Sequence, residues 1–387
     1  MRLLEPGADV HQRVAAIGDV GLIGRVRARA RANGVDAVFA ALAPALGGAD
    51  WGFANLEFPI GRAEWVRGGR AAEFHHDDDV AAALFRAGVR VVSLANNHVM
   101  DCGERGLART LETCGAAGLE VVGAGATLEA ARRPARFVAA GRRLAVLGYF
   151  AGKDGAASAT GWGFAPLERG AVMEDVAAAR AAADLVVVSV HWGSMYVDFP
   201  PPRVMEWAET FESLGVDLVL GHHPHVLQGY RRRGRTLTLF SLGDAVLDPA
   251  SGDFEAEVAA EARRATGVFT ASLGVAPGLD FMPLRLDAEG VPEAVTGADE
   301  AAVRERVLRL AAGLEGAESR FASESAPMLL RYEWQSLTTY VRQGRWGRVA
   351  RLLTSLRPRH VPMLWSALRH RGGRGADADP ATGRTTR

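Results

Sequence analysis

Short apolar runs recur along the chain, each closed by small or polar residues, and stretches with helical spacing of apolar positions separate most of them. The runs at 14–17, 49–56, 89–95, 120–122, 143–150, 184–190, 217–220 and 236–240 predict strands. Helices are predicted up to residue 86, for about a dozen residues after Gly103, and over 173–183 and 203–214. The link at 123–126 reads as a tight turn, because no strand–GxGxxG–helix unit surrounds it. Segment 152–163 reads as a surface loop, and Pro200, Pro201 and Pro202 stiffen the loop 198–202. Further on, 255–264 and 299–314 predict helices, with a hairpin over 267–286 between them. In 322–370, Arg, Trp334, Trp346, Trp365 and leucines fall at helical spacing; this suits a packed helical extension or peripheral contact with an anionic membrane. The tail 371–387 is rich in Gly, Asp, Thr and Arg and predicts disorder. Strands separated by helices predict an α/β fold whose strand ends share one edge.

With 387 residues, the chain has room for one large or two ordinary domains. Cys102 and Cys114 form neither a CxxC motif nor a disulfide framework, which is compatible with a reducing compartment. The first residues show no secretory signal, and no apolar run approaches the ~20 residues of a membrane-spanning helix. A soluble cytoplasmic protein is the expectation. The net charge of +0 argues against a general nucleic-acid binder. Nearly all the positive charge is arginine, Lys153 being the only lysine.

The chemistry sits where the predicted strands stop. The stretch Asp217-Leu-Val-Leu-Gly-His222-His223-Pro224-His225 delivers three imidazoles within four positions on a proline-stiffened turn. Asp19 follows the first run, as a ligand or as a turn aspartate; Asn55 and Glu57 follow the second and share a face of an extended chain. After the third run come Asn96, Asn97, His98 and Asp101, where Asp101 either orients His98 or caps the next helix. His191 closes the run at 184–190, and Asp244 follows the run at 236–240. In F-H-H-D-D-D (74–79), Asp77 or Asp78 is expected to cap the next helix, with His75 and His76 on the substrate side. A mixed oxygen and nitrogen set without thiolate suits Mn, Fe or Zn, and its size implies two divalent ions.

These motifs carry a resemblance. G-D at 18–19, N-L-E at 55–57, A-N-N-H-V-M-D-C-G-E-R-G-L at 95–107, H-W-G at 191–193, G-H-H-P-H-V-L-Q at 221–228 and S-L-G-D at 241–244 resemble the bacterial CapA, or PGA_cap, capsule-synthesis family, which belongs with the calcineurin-like metallophosphoesterases. The resemblance covers roughly residues 12 to 250. It implies a two-sheet β-sandwich flanked by helices (αββα) over 12–290, with a helical extension over 291–370, and a dinuclear metal site at one edge. Asp19, Glu57, Asn97, His191, His223 and His225 match the metal ligands, with Glu57 where the superfamily has a bridging aspartate. His98 matches the leaving-group proton donor with Asp101 behind it, and Asn55, Asn96, His222 and Asp244 are left for substrate. The usual D-x-H is here Asp19-Val20-Gly21, Met195 stands where an acid is expected, and Asp244 replaces an asparagine. The implied functions are metal-dependent hydrolysis of a phosphoester, or a related ester or amide, in a small or polymeric anionic substrate, or an accessory role in making poly-γ-glutamate or another capsule polymer.

Overall fold

The structure, a computed structural model, describes residues 1–67, 73–249 and 260–325, together with 337–338, 340–341 and 346–347. The helical pattern of 322–370 and the tail 371–387 thus lie almost wholly outside the described residues, and of the helix predicted over 255–264 only Ala260–Arg264 is described, as helix.

Two sheets face each other. The larger has the order Arg2–Leu4, Gly278–Leu286, Ala265–Leu273, Gln12–Gly21, Trp51–Leu56, Val89–Ser93, Glu120–Val122; Asp244–Leu247 also pairs with Gln12–Gly21, and Pro292–Ala294 with Gly278–Leu286. The smaller runs Tyr230–Arg233, Thr236–Leu239, Leu218–His222, Leu185–His191, Arg142–Phe150, Ala135–Ala139.

The two-residue period of a strand sorts side chains into layers. Val14, Ala16, Trp51, Phe53 and Val91 meet Leu144, Val146, Leu185, Val187, Leu218 and Leu220 in the core between the sheets. The alternate residues Ala15, Ile17, Ala54, Leu56 and Val92 pack with Val26, Leu84 and Leu107 of the helices Gly24–Asn33, Val80–Ala87 and Gly103–Ala116. On the far side, Ala145, Leu147, Val186, Val188 and Val219 pack with Val172, Val176, Trp207 and Phe211 of the helices Arg169–Ala182 and Pro202–Ser213. This is the αββα sandwich. Burial on both faces is why its strands read as continuous apolar runs and not as alternating ones.

Several details differ from the sequence reading. A strand precedes residue 12, Arg2–Leu4, paired antiparallel with Gly278–Leu286. Segment 152–163 is tied down at its end, and the link 123–126 is not merely a tight turn: its Ala124–Gly125 forms a short strand that pairs antiparallel with Gly163–Phe164. Neither Asp77 nor Asp78 caps the helix Val80–Ala87, whose N-cap is Asp79 without a side-chain bond. Asp77 instead pairs with Arg31 at 3.0 Å and Asp78 with Arg109 at 2.8 Å. Past the second sheet, the helix Gly297–Ala312 adds Val303, Val307 and Leu310 to the core between the sheets. Among the described residues no helix is long and apolar enough to cross a membrane.

Parallel pairing gathers the strand ends. Asp19 is in register with Asn55 and with Asp244, Asn55 with Ser93, and, in the smaller sheet, His191 with His222.

Candidate metal centre

At Asp19 two chain segments approach closely. A Cβ on Gly18 would fall 1.9 Å from the carbonyl oxygen of Gly243, and the Asp19 amide donates to that same oxygen at 2.9 Å. Only glycine allows this approach, which sets Asp244 beside Asp19. The Asn55 side-chain amide donates to Asp19 Oδ1 at 2.8 Å and to Glu57 Oε2 at 2.5 Å, and its own oxygen accepts from Asn96 Nδ2 at 3.3 Å. Asn96 also donates to the Leu56 carbonyl at 2.9 Å. Both amides are fully buried, and their bonds fix the two carboxylates relative to each other.

Strand ends and a strained turn supply the imidazoles. His223 and His225 adopt φ of 97° and 56°, left-handed values unusual for a residue with a Cβ and concentrated at functional sites. His191 Nε2 lies 2.8 Å from Asn97 Oδ1, 3.1 Å from His223 Nδ1 and 3.7 Å from Glu57 Oε1. Burial, with His223 alongside, pushes His191 well below the usual histidine range. Burial and the neighbouring His225 push His223 down to about 3. Both rings are therefore neutral and able to offer a lone pair at ordinary pH. His222 Nδ1 reaches across to Asp19 Oδ1 at 3.1 Å, and the His223 amide donates to Asp19 Oδ2 at 3.3 Å.

His98 stands apart from these ligand atoms. Its Nδ1 is 2.7 Å from Asp101 Oδ2 and its Nε2 is 4.0 Å from Glu57 Oε1. Phe58 and Phe74 pack on the ring, with centroids 4.5 and 5.3 Å away. The following helix Gly103–Ala116 has Cys102 at its N-cap and no side-chain cap bond, so of the two roles weighed for Asp101 the structure displays the contact with His98. A separate cleft of ≈ 840 Å³ is lined by charges of both signs, among them Arg27, Arg62, Arg105, Glu64 and Glu73, and by His75. His75 therefore faces the cleft, whereas His76 is buried with Nδ1 near the Leu22 amide.

Two residues here were not singled out from the sequence. Arg263, 2% exposed, places Nε and Nη2 at 3.4 and 3.3 Å from Asp244 Oδ2. Tyr196 lies under its guanidinium, 5.1 Å to the ring centroid. In a chain this rich in arginine, no local signal distinguishes Arg263. Asp244 turns its other oxygen, Oδ1, to His225 Nδ1 at 2.7 Å, and Asp19 Oδ2 lies 3.4 Å from the same nitrogen. Burial alone would lower His225, but Asp244 and Asp19 outweigh it and hold it above its ordinary value.

The donor set fits a divalent cation. Ligand atoms of Asp19, Glu57 and His225 lie within 4.8 Å of one another. Glu57 Oε1 is buried without a hydrogen-bond partner. Burial, with the Asp19 carboxylate alongside, raises the Glu57 carboxyl well above its ordinary range, the condition a bound cation relieves.

An αββα sandwich with a carboxylate, amide and imidazole cluster at the ends of its parallel strands is the class that fold and site define. The family model described as bacterial capsule synthesis protein PGA_cap matches residues 13–249, and the chain belongs to that family. It is similar to the capsule biosynthesis protein CapA of Bacillus anthracis, 30% identical over 241 residues that cover 60% of this chain and 59% of that protein. It is also similar to the PGA biosynthesis protein CapA of Bacillus subtilis, 29% identical over 236 residues covering 60% and 62%. The chain thus matches about three fifths of the length of each of these relatives. Among solved structures, a 5'-nucleotidase from Candida albicans overlays with a TM-score of 0.38 at 8% identity, covering 81% of this chain and 60% of that one.

Proposed function

We propose that the chain is a metal-dependent hydrolase that cleaves a phosphoester, or a related ester or amide, in an anionic substrate. The observation that carries this reading is Glu57 Oε1, a buried and unpartnered carboxylate oxygen 3.7 Å from His191 Nε2 and 4.0 Å from His98 Nε2. Asp19, Glu57 and His225 would hold an ion on one side, and Glu57, Asn97, His191 and His223 on the other. Bound there, divalent ions polarise the scissile bond and lower the pKa of the attacking water.

The chain's own groups do the rest. Asp101 holds His98 Nδ1, which leaves Nε2 facing the centre to donate a proton to the leaving group. Phe58 and Phe74 screen that ring from water. Cys102 and Cys114 are free thiols, in keeping with work in a reducing cytoplasm. The test is metal content by mass spectrometry on the purified chain, with a phosphomonoester and phosphodiester screen in added Mn²⁺. About two ions per chain with turnover supports the reading, whereas less than one ion and no turnover with any metal removes it.

The names of the relatives favour a second reading, an accessory role in capsule-polymer synthesis in which the same edge binds polymer without cleaving it. Polyglutamate retained by the protein and left uncut would favour it. Co-sedimentation with anionic vesicles would add the peripheral membrane contact expected of 322–370.

A further inference from the structure

The usual first-motif histidine is absent, and other side chains take its place. A Cβ on Gly21 would lie 2.4 Å from Leu247 Cδ1 and 2.8 Å from Phe58 Cε2, so these side chains occupy the space an imidazole would need. The strand that fills the space, Asp244–Leu247, starts with Asp244 in register with Asp19. Asp244 is fully buried and turns one oxygen to Arg263 and the other to His225 Nδ1, the nitrogen that also faces Asp19.

We infer that Asp244 supplies, through Oδ1, the metal ligand that Gly21 cannot, so that the edge holds two unlike ion positions. This rests on the metal-centre reading above and deepens it. The Asp19 side then offers carboxylates from Asp19, Glu57 and Asp244 with a single imidazole, His225. The His191 side offers two imidazoles, an amide and the shared Glu57. Hard ions such as Mn²⁺ favour the oxygen-rich position, and Zn²⁺ the nitrogen-rich one. Arg263 is a positioning residue: by engaging Oδ2 it holds Asp244 with Oδ1 against His225 Nδ1 and offsets the third buried carboxylate. A simple orienting role for Asp244 toward His225 makes a different prediction, because an asparagine oxygen accepts from Nδ1–H equally well.

The experiment is calorimetric titration of metal-free protein with Mn²⁺ and with Zn²⁺, for the wild type, Asp244→Asn and His191→Ala. The wild type should take two ions. Asp244→Asn should lose the Mn²⁺-preferring one outright, the titration showing a single site, and keep the Zn²⁺-preferring one. His191→Ala should do the reverse. Two Mn²⁺ sites of unchanged affinity in Asp244→Asn overturn the inference and leave the metal centre standing. A wild type that binds no ion overturns both. Asp244→Cys loaded with Co²⁺ decides independently if the asparagine variant does not fold. A thiolate-to-cobalt charge-transfer band absent from the wild type places the side chain of residue 244 on the ion, and a folded variant without that band overturns the inference.

Discussion

His98 Nδ1 and Asp101 Oδ2 lie 2.7 Å apart across a single turn of chain. The contact fixes which ring nitrogen faces Glu57, as the proposed role of His98 in proton transfer requires. Replacing His98 with Gln should therefore lower turnover of any ester the wild type cleaves by ~10²–10⁴-fold, the usual contribution of a general acid. Metal content should not change, and mass spectrometry of the same preparations checks it. Loss of metal in step with activity would remove His98 from the proton-donor role.

Gly221 opens the histidine turn because nothing larger fits. A Cβ there would lie 2.0 Å from the Phe240 carbonyl oxygen and 2.7 Å from Trp192 Nε1, which itself donates to that carbonyl at 3.0 Å. Gly221→Ala should displace Trp192 or the segment bearing Phe240, just past the strand Thr236–Leu239, and with it the ring of His222 next in sequence. The expected outcome is a destabilisation of about 1–3 kcal/mol, as for overpacking, together with weakened metal binding. Urea unfolding and metal titration of one sample read both. An alanine variant with unchanged stability and affinity would show that the turn tolerates the shift.

Much of this site could be read from the chain because its residues fall just past apolar runs, and parallel strands carry their C-terminal ends to a common edge. Asp19, Glu57, His98, His191 and His225 could be found in this way. What could not be read was the set of contacts between distant segments. Asn55 looks like a polar residue facing solvent or substrate, yet its amide spans two carboxylates. Asp77 and Asp78 have the right spacing for a helix cap, but Arg31 and Arg109 come from elsewhere and take them. Arg263 reaches Asp244 only after the fold forms. The sandwich itself was legible mainly through the family resemblance, since doubly buried runs show no alternation to tell two sheets from one.

Asp217, which begins the histidine stretch, is structural. Its Oδ1 accepts from Arg235 Nη2 at 2.5 Å, and its Oδ2 accepts from Arg180 Nη1 and from the Val186 amide, each at 2.8 Å. The carboxylate is 1% exposed, so it locks the start of one histidine-bearing strand to its neighbour. Asp217→Ala should cost about 3 kcal/mol by leaving those donors without their acceptor. Metal stoichiometry of the folded fraction should stay that of the wild type. A drop in stoichiometry at unchanged stability would contradict this division of labour.

His76 makes the stability of the protein depend on pH in a definite direction. The ring is fully buried, its Nδ1 3.4 Å from the Leu22 amide, and burial, with Arg27 and His75 adding to it, lowers it to about 3 from 6.5. Between these values the unfolded chain binds a proton at His76 and the native state does not. Stability therefore rises with pH through this window; it is complete above the unfolded value and is lost as pH falls from 6.5 toward 3. At 1.36 kcal/mol per unit, this residue alone should remove about 2 kcal/mol by about pH 5. The lowered His191 and His223 act in the same direction, so a variant is needed to isolate the effect. His76→Gln keeps a polar side chain that cannot titrate. Urea unfolding at about pH 7 and about pH 5 should show a smaller loss for this variant than for the wild type. Equal losses in both would mean that the His76 ring acquires its proton in the native state without cost, and that the acid sensitivity arises elsewhere.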